Sequence, residues 1–600
     1  MSEEVISTAS RRSFLKLMGA SFALAGLVGC RWPKEHIVPF AHRPPGRVDG
    51  EPDQFATAMD IGGAAVGLLV TSYAGRPTKV EGNPNHPESP GATGMHAQAS
   101  VLELYDPDRS RVVVQRASGQ DVHRTFDDFV AFANPVFASF LARGGQGLHI
   151  LSGASSSPSR AALRKRLAQV APRAVWREYE PVSRDNERLG LALAFGRPVR
   201  AHHRLAEADV ILALDADFLC RGPAGLRLAR EFAARRGGAG MNRLWVVEGP
   251  LTTTGASADH RHAVPVHLVP VVVERLAAAI LERGHGGSAL QGLGTLLRST
   301  AGEPHGSDFV GPLAADLLAH RSKSVILAGP SQPPEVHALA ALLNDALDNA
   351  GSTVVYTEEP EGDRPAHADA IAALATDLRA GAVDTLLVLG ANPVYTAPAD
   401  LDFAAALARA KNTIHLGGYR DETGRACAWH VPEAHFLESW GDARAWDGTV
   451  SIVQPLIEPL FEGKTAIEMI ALLLGEGPRT AHDIVRDTFA HAAGGATDHA
   501  WRSALKSGVV PDTSFPVIAV RPDASALATR LAARQAPPAS DLELVFVADH
   551  SVHDGRFANN AWLQETPDPI SKITWDNALL VGPATATRLG LGQEDLVRVK

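Results

Sequence analysis

The chain has 600 residues, 45% of them hydrophobic and 21% charged, with a formal net charge of −10. This composition excludes a disordered chain, a collagen and a membrane bundle, and the acidic balance offers no basic surface for nucleic acid. The length allows several domains of about 150 residues each, with a large buried core. The 3 cysteines, Cys30, Cys220 and Cys427, are too few for a disulfide scaffold, a four-cysteine zinc site or an all-cysteine iron–sulfur cluster built from this chain alone.

The first thirty residues read as an address. Ser10-Arg11-Arg12-Ser13-Phe14-Leu15-Lys16 matches the twin-arginine export pattern at every position, with Arg11 and Arg12 as the signal pair. Leu17–Gly29 is an apolar run too short for a hydrocarbon core, which takes about 20 residues. It ends in Leu27-Val28-Gly29-Cys30, a lipoprotein box that predicts cleavage before Cys30 and a diacylglycerol on its sulfur. The blander reading of Cys30 is a buried thiol in an uncleaved anchor. Two or more acyl chains anchor a protein stably where one binds only marginally. Residues 1–29 are thus the expected signal and 30–50, rich in Pro, Arg and His, the expected tether. The expected location is the periplasmic face of the bacterial cytoplasmic membrane, reached by export in the folded state.

Residues 51–115 predict a small β-rich module. Val66–Ser72 and Thr78–Glu81 flank Tyr73-Ala74-Gly75-Arg76, a glycine-containing hairpin turn. The pattern then becomes strand, loop, helix. Apolar strands are expected at Leu148–Leu151, Val210–Leu214, Leu244–Val247, Val325–Leu327, Thr353–Tyr356, Thr385–Leu389 and Thr413–Leu416. Helices are expected at Pro158–Val170, capped by Ser157, and at Leu226–Arg236 and His337–Ala350. Alternating strands and helices imply parallel sheets with both faces covered. Two α/β domains are expected, at 116–310 and 311–530. Gln535–Ser540 reads as a linker. After it, 541–600 reads as the start of a truncated, β-barrel-like domain, with strands at Leu542–Ala548 and from Asp595 and a short helical turn at Pro583–Leu589. The fold class is α/β.

Several segments resemble one family. They are Gly75–Pro87 followed by Leu104–Arg109, then Leu389-Gly390-Ala391-Asn392-Pro393, His430–Asp442 and, most diagnostic, Asp554–Glu565. Together they resemble the molybdopterin oxidoreductases (complex iron–sulfur molybdoenzymes). With the leader, they look most like the N-terminal half of the large iron–sulfur subunit of alternative complex III. The resemblance implies a part in a membrane-bound quinol:electron-acceptor oxidoreductase of a respiratory chain. It implies integral membrane quinone-binding subunits and c-type cytochrome subunits as partners.

The departures from the family are equally informative. Active relatives open with a four-cysteine cluster motif, and no cysteine lies between 31 and 219 here. Ala92-Thr93-Gly94-Met95 stands where the fourth would fall, and His86 and His96 supply at most two ligands. For a molybdenum ligand only Ser155-Ser156-Ser157 is suitably placed, and a helix-start serine cluster explains it more simply. The expectation is therefore a non-catalytic scaffold with no cofactor, metal or catalytic residue within 1–600. Molybdopterin is not expected, and iron–sulfur clusters are expected after Lys600. The alternative is an active molybdopterin enzyme of polysulfide or tetrathionate reductase type. A solute-binding lipoprotein with two α/β lobes would leave Asp554–Glu565 unexplained.

Other polar groups read as structural. Asp549-His550-Ser551-Val552-His553-Asp554 looks like a metal box, yet it leaves a strand and precedes Gly555, so a connecting loop is expected. Thr252–Gly255 with Asp259-His260-Arg261-His262 reads as a polar turn. Gly62–Gly67 lacks Rossmann spacing. Trp440 and Trp562 read as core or seam aromatics. Whether Cys220 and Cys427 pair is open.

Overall fold

The computed structural model describes residues 50–238, 240–300, 307–477, 479–492, 497–534 and 542–598. Arg11, Arg12, Cys30, the signal, nearly all of the tether and the linker Gln535–Ser540 lie outside the described residues.

The N-terminal module is a three-stranded antiparallel sheet of Asp53–Ile61, Ala64–Tyr73 and Arg76–Gly82. Its two turns, Gly62-Gly63 and Ala74-Gly75, are all at positive φ, as two-residue turns between right-twisted strands require. The expected hairpin is present, and the glycine pair at 62–63 makes a second one. Helix Met95–Leu104 lays Ala97, Val101 and Leu104 onto Leu68, Val70 and Val80.

The first large sheet has seven strands. Their order is Gln120–Arg124, Val113–Ala117, Trp429–Pro432, Asn412–Gly417, Thr385–Leu389, Leu148–Ser152 and Val175–Glu178. The last five run parallel, and the first two form an antiparallel hairpin on the edge. Alternation along the strands serves two cores. Leu387 and Leu389 pack under helices Phe126–Ala142 and Pro158–Val170, while Leu386 and Val388 pack under His367–Arg379. Helix Pro158–Val170 begins as expected: the Ser157 hydroxyl accepts from the Arg160 N–H at 3.1 Å.

The second large sheet is four-stranded and parallel, in the order His260–Ala263, Arg243–Glu248, Val210–Leu214 and Ser324–Ala328. Beside it, Val199–His203 pairs antiparallel with Val354–Glu358. The interior of this lobe is a continuous apolar cluster that includes Leu212, Val246, Ile326 and Leu339.

Three expectations change. The boundary at 310/311 does not separate the sheets. Each large sheet draws strands from both sides of it, because parallel neighbours are joined by long crossovers rather than by adjacency in the chain. Leu542–Ala548 is not a ladder strand. No described strand offers it an edge, Phe546 is 83% and Val547 65% exposed, and Glu543 instead accepts from the Val266 and His267 N–H groups at 2.8 Å. The described residues from Asp595 form no strand either, although the helical turn Pro583–Leu589 is present. No helix among the described residues is long and apolar enough to cross a membrane.

The central strand Thr385–Leu389 is fully buried, with Leu387 inaccessible. Leu387→Ala is expected to cost about 2–5 kcal/mol through lost contacts and the cavity left behind. The measurement is chemical denaturation followed by far-UV circular dichroism.

Candidate functional site

Parallel strands send all their carboxyl ends the same way, and ligands of open α/β sheets bind there. Here both large sheets open onto one cleft of about 1510 Å³. Ala154–Ser157 follow Ser152 at its wall, Glu180 follows Glu178, Asp215 follows Leu214, and Gly329 and Pro330 follow Ala328. Arg444–Trp446 and the segment Val545–His550 complete the lining.

The three serines are engaged by carboxylates from distant parts of the chain. Asp60, from the first strand of the module, accepts from the Ser156 N–H at 2.8 Å and the Ser156 hydroxyl at 3.0 Å. Ser155 donates to the same oxygen at 3.4 Å. Ser157 and Ser159 donate to Asp442, which also accepts from the Ser159 N–H at 3.1 Å. Burial pushes the Asp60 and Asp442 carboxyls up, and the serine hydrogen bonds oppose it. Ser157 also caps helix Pro158–Val170.

Several guanidinium groups reaching the cleft are paired with carboxylates, although the buried Nε atoms of Arg184, Arg188 and Arg364 have no hydrogen-bond partner. Arg164 binds Glu178 at 2.6 Å, Arg200 binds Glu359 at 2.8 Å, Arg364 binds Asp185 at 2.8 Å and Arg227 binds Glu88 at 2.9 Å. Arg184 pairs with Glu187. Arg184 and Arg200 also lie over the Trp446 ring, 4.4 and 3.8 Å from its centroid. At the edge of the cleft, the exposed Arg556 bridges Glu180 at 2.5 Å and Asp554 at 2.7 Å. The Asp554 carboxyl is held well below the usual range by hydrogen bonds from His553 and Arg556, against the opposing effect of burial. Arg160 donates to the Gly153 carbonyl at 3.1 Å and stands 5.7 Å from the Trp176 ring centroid. Burial pushes Glu433 up to about 7, opposed by the nearby Arg160 charge.

Of the histidines singled out in the sequence, His96 and His553 are brought together edge to face, with ring centroids 6.1 Å apart. His86 contacts the Ser89 hydroxyl at 3.1 Å, and its ring fills the space a side chain on Gly67 would need. His96 stacks on Phe557 at 4.7 Å and binds the Ser551 carbonyl at 3.0 Å. His550 and His553 lie in a loop, not on a helix face, with Asp549 accepting from the Ser551 and Val552 N–H groups at 2.7 Å. Thr252–Gly255 forms the expected polar turn: Thr252 donates to Glu248 at 2.6 Å and Thr254 to Asp217 at 2.8 Å. Asp259 pairs with Arg236 and Arg261 with Glu248. Among the described residues, no three His, Cys, Asp or Glu side chains are grouped to hold a metal ion.

The described cysteines do not pair. Cys220 is exposed at the cleft with its thiol 3.2 Å from the Thr253 hydroxyl, and Cys427 is buried under the seven-stranded sheet. Burial pushes the Cys427 thiol up to about 12. Trp440 stacks on Trp501 at 5.8 Å in the core. Trp562 is 54% exposed, against expectation, because Leu563 fills the adjacent core position.

No family model matches the chain. A curated relative is 24% identical over 634 aligned residues, covering 98% of this chain and 89% of the relative. It is the menaquinone reductase, molybdopterin-binding-like subunit of Nitratidesulfovibrio vulgaris strain Hildenborough. Among solved structures, acetylene hydratase from Pelobacter acetylenicus superposes with a TM-score of 0.59 at 12% identity, over 76% of this chain and 74% of the hydratase. The hydratase likeness shows the fold, and the curated relative is named as a molybdopterin-binding-like subunit. Of the family-like segments, His430–Asp442 supplies Asp442, bonded to Ser157 at the cleft, and Asp554–Glu565 supplies Arg556, bonded to Glu180. Asp60, Arg160 and Glu180 were missed in the sequence, where no spacing marks them.

Burial keeps several histidines neutral. His415 and His430 meet through their Nδ1 atoms at 2.9 Å and are pushed down to about 4 and about 3. His86 and His96 are pushed down to about 4, and His435 to about 3. In the unfolded chain these groups protonate near 6.5. Their contribution to stability is present above that value and is lost as pH falls from about 6.5 towards 4. Denaturation measured between pH 7.5 and 4.5 is expected to lose up to about 1.4 kcal/mol per pH unit for each such histidine. The slope should be shallower in H415N/H430N.

Proposed function

We propose that this chain is a subunit of a membrane quinone-linked oxidoreductase, of the alternative complex III type. In it the chain is a non-catalytic, molybdoenzyme-like scaffold. The observation that carries this reading is the cleft's own charge balance. A pterin dinucleotide is polyanionic and needs unsatisfied donors at the strand ends. Here the Ser155–Ser159 donors are bonded to Asp60 and Asp442, and Arg164, Arg184, Arg200, Arg227, Arg364 and Arg556 are bonded to carboxylates of the chain itself. Most donors at the strand ends are thus committed within the chain, and the buried Nε atoms of Arg184, Arg188 and Arg364 are the ones left without a hydrogen bond. The lack of any cysteine between 31 and 219 argues in the same direction for the cluster of the N-terminal module.

On this reading the electron-carrying iron–sulfur clusters lie outside residues 1–600. The scaffold positions them against quinone-binding membrane subunits and c-type cytochrome partners. The full-length relative named for a menaquinone reductase supports the quinone-linked setting. The twin-arginine leader and Cys30 support a lipid-anchored chain on the periplasmic face.

Two experiments test this proposal. Elemental analysis of the purified protein with its partners is expected to find no molybdenum; a stoichiometric amount would overturn the scaffold and favour the active molybdopterin enzyme. Cys30→Ala is expected to leave the exported protein unlipidated and to shift most of it from the membrane to the soluble periplasmic fraction. Unchanged membrane retention in cells lacking the partner subunits would overturn the anchor.

A further inference from the structure

The segment 153–159 leads from strand Leu148–Ser152 into helix Pro158–Val170. Its donors converge on carboxylates from three other segments. The Ala154 N–H donates to Glu180 at 3.0 Å, the Ser156 N–H to Asp60 at 2.8 Å and the Ser159 N–H to Asp442 at 3.1 Å. Hydroxyls join them: Ser155 and Ser156 donate to the same Asp60 oxygen, and Ser157 and Ser159 donate to Asp442. Asp60 comes from the first strand of the N-terminal module and Asp442 from the hairpin of Gly441–Arg444 and Val450–Val453. Glu180 follows strand Val175–Glu178 and is also bonded to Arg556.

A strand-to-helix turn that aims N–H and O–H groups at negative oxygens has the chemistry of an oxyanion site. The positive end of the helix dipole adds to it. A second observation points the same way. Arg160 donates to the Gly153 carbonyl at 3.1 Å, and Arg444 donates to the Gly448 carbonyl at 2.7 Å and the Thr513 carbonyl at 3.1 Å. Both guanidinium groups thus bond neutral oxygens while standing beside the carboxylates. Burial opposes the charge on Asp60 and Asp442; the serine donors, and after them the Arg160 and Arg444 charges, favour it. Ser155, Ser156, Ser157, Arg160 and Arg444 all line the cleft, so the turn is reached from it.

We propose that the turn 154–159 is an oxyanion site that the chain fills with its own carboxylates, Asp60 and Asp442. It takes an external anion of the phosphate class only when one of them is withdrawn. The inference rests on the scaffold reading and deepens it: donors that an open α/β sheet offers to a ligand are here spent on the chain itself. The exchange does two things at once. It neutralises the turn without a ligand, and it ties the module and the hairpin to the seven-stranded sheet. Removing one carboxylate leaves buried donors without an acceptor, a cost that a small oxyanion relieves. No covalent bond forms or breaks.

Inorganic phosphate is the probe, titrated calorimetrically into the full chain at constant ionic strength with chloride as the control. The wild type is expected to show no saturable phosphate binding at the turn. Asp60→Ala and Asp442→Ala each vacate an acceptor position and should bind phosphate about tenfold tighter than the wild type, or better. Each should also unfold at a lower temperature in chloride and regain most of that loss in phosphate. Adding Ser156→Ala to D60A should weaken the gained site several-fold. Folded D60A and D442A that bind phosphate no better than the wild type would overturn the inference. If neither variant folds, hydrogen exchange of wild-type peptides spanning 153–161 decides. Protection that is equal with and without phosphate upholds the closed turn, and protection that phosphate raises overturns it. Molybdenum in the purified protein would sink the scaffold reading and leave the phosphate titrations as they are, so the two failures are told apart.

Discussion

Parallel strands buried on both faces impose the constraint from which most of this molecule follows. In Thr385–Leu389, successive side chains enter opposite cores, so a polar residue can sit inside the strand only with a partner beside it. His149 meets that condition through Arg177 at 3.0 Å, and His415 and His430 meet it through each other. Other polar groups are displaced to the strand ends. Since parallel strands share a direction, those ends collect at one place, and two such sheets facing each other enclose the cleft.

The remaining parts of the chain are attached by polar hooks as well as by an apolar cluster in which Leu437, Phe557 and Leu563 join the core of the module. Asp60 joins the N-terminal module to Ser156, and Arg109 joins it to Glu438 in a buried ion pair. Asn560 donates to the Ala99 carbonyl at 2.8 Å, and Arg556 binds Glu180. Each hook is a charged or amide group inserted among groups that would otherwise lack partners, so losing one side leaves a buried polar atom unsatisfied on the other. Such contacts fix relative placement tightly while adding little apolar burial.

The cleft satisfies its serine hydroxyls and many of its guanidinium groups internally, and leaves the buried Nε atoms of Arg184, Arg188 and Arg364 without a hydrogen-bond acceptor. The exposed Phe546, Val547 and Trp562 lie in the C-terminal region, where Leu542–Ala548 forms no strand.

Much of the fold was legible in the sequence. The strands Val210–Leu214 and Thr385–Leu389, the helix Pro158–Val170 with its Ser157 cap and the turn at Ala74-Gly75 all rest on local periodicity, capping and turn chemistry, which act within a few residues. The thiol count and the family-like segments were equally readable. The boundary at 310/311 failed because strand order in a parallel sheet is set by crossovers, which leave no local mark. Leu542–Ala548 has the composition of a strand, but a strand exists only where another supplies an edge. The sequence by itself determined the elements and the scarcity of thiols. Only the tertiary structure decided that Asp60, Asp442, Glu180 and Arg556 meet at one cleft, since their partners lie from about a hundred to nearly four hundred residues away and long-range pairing of charges is settled by packing.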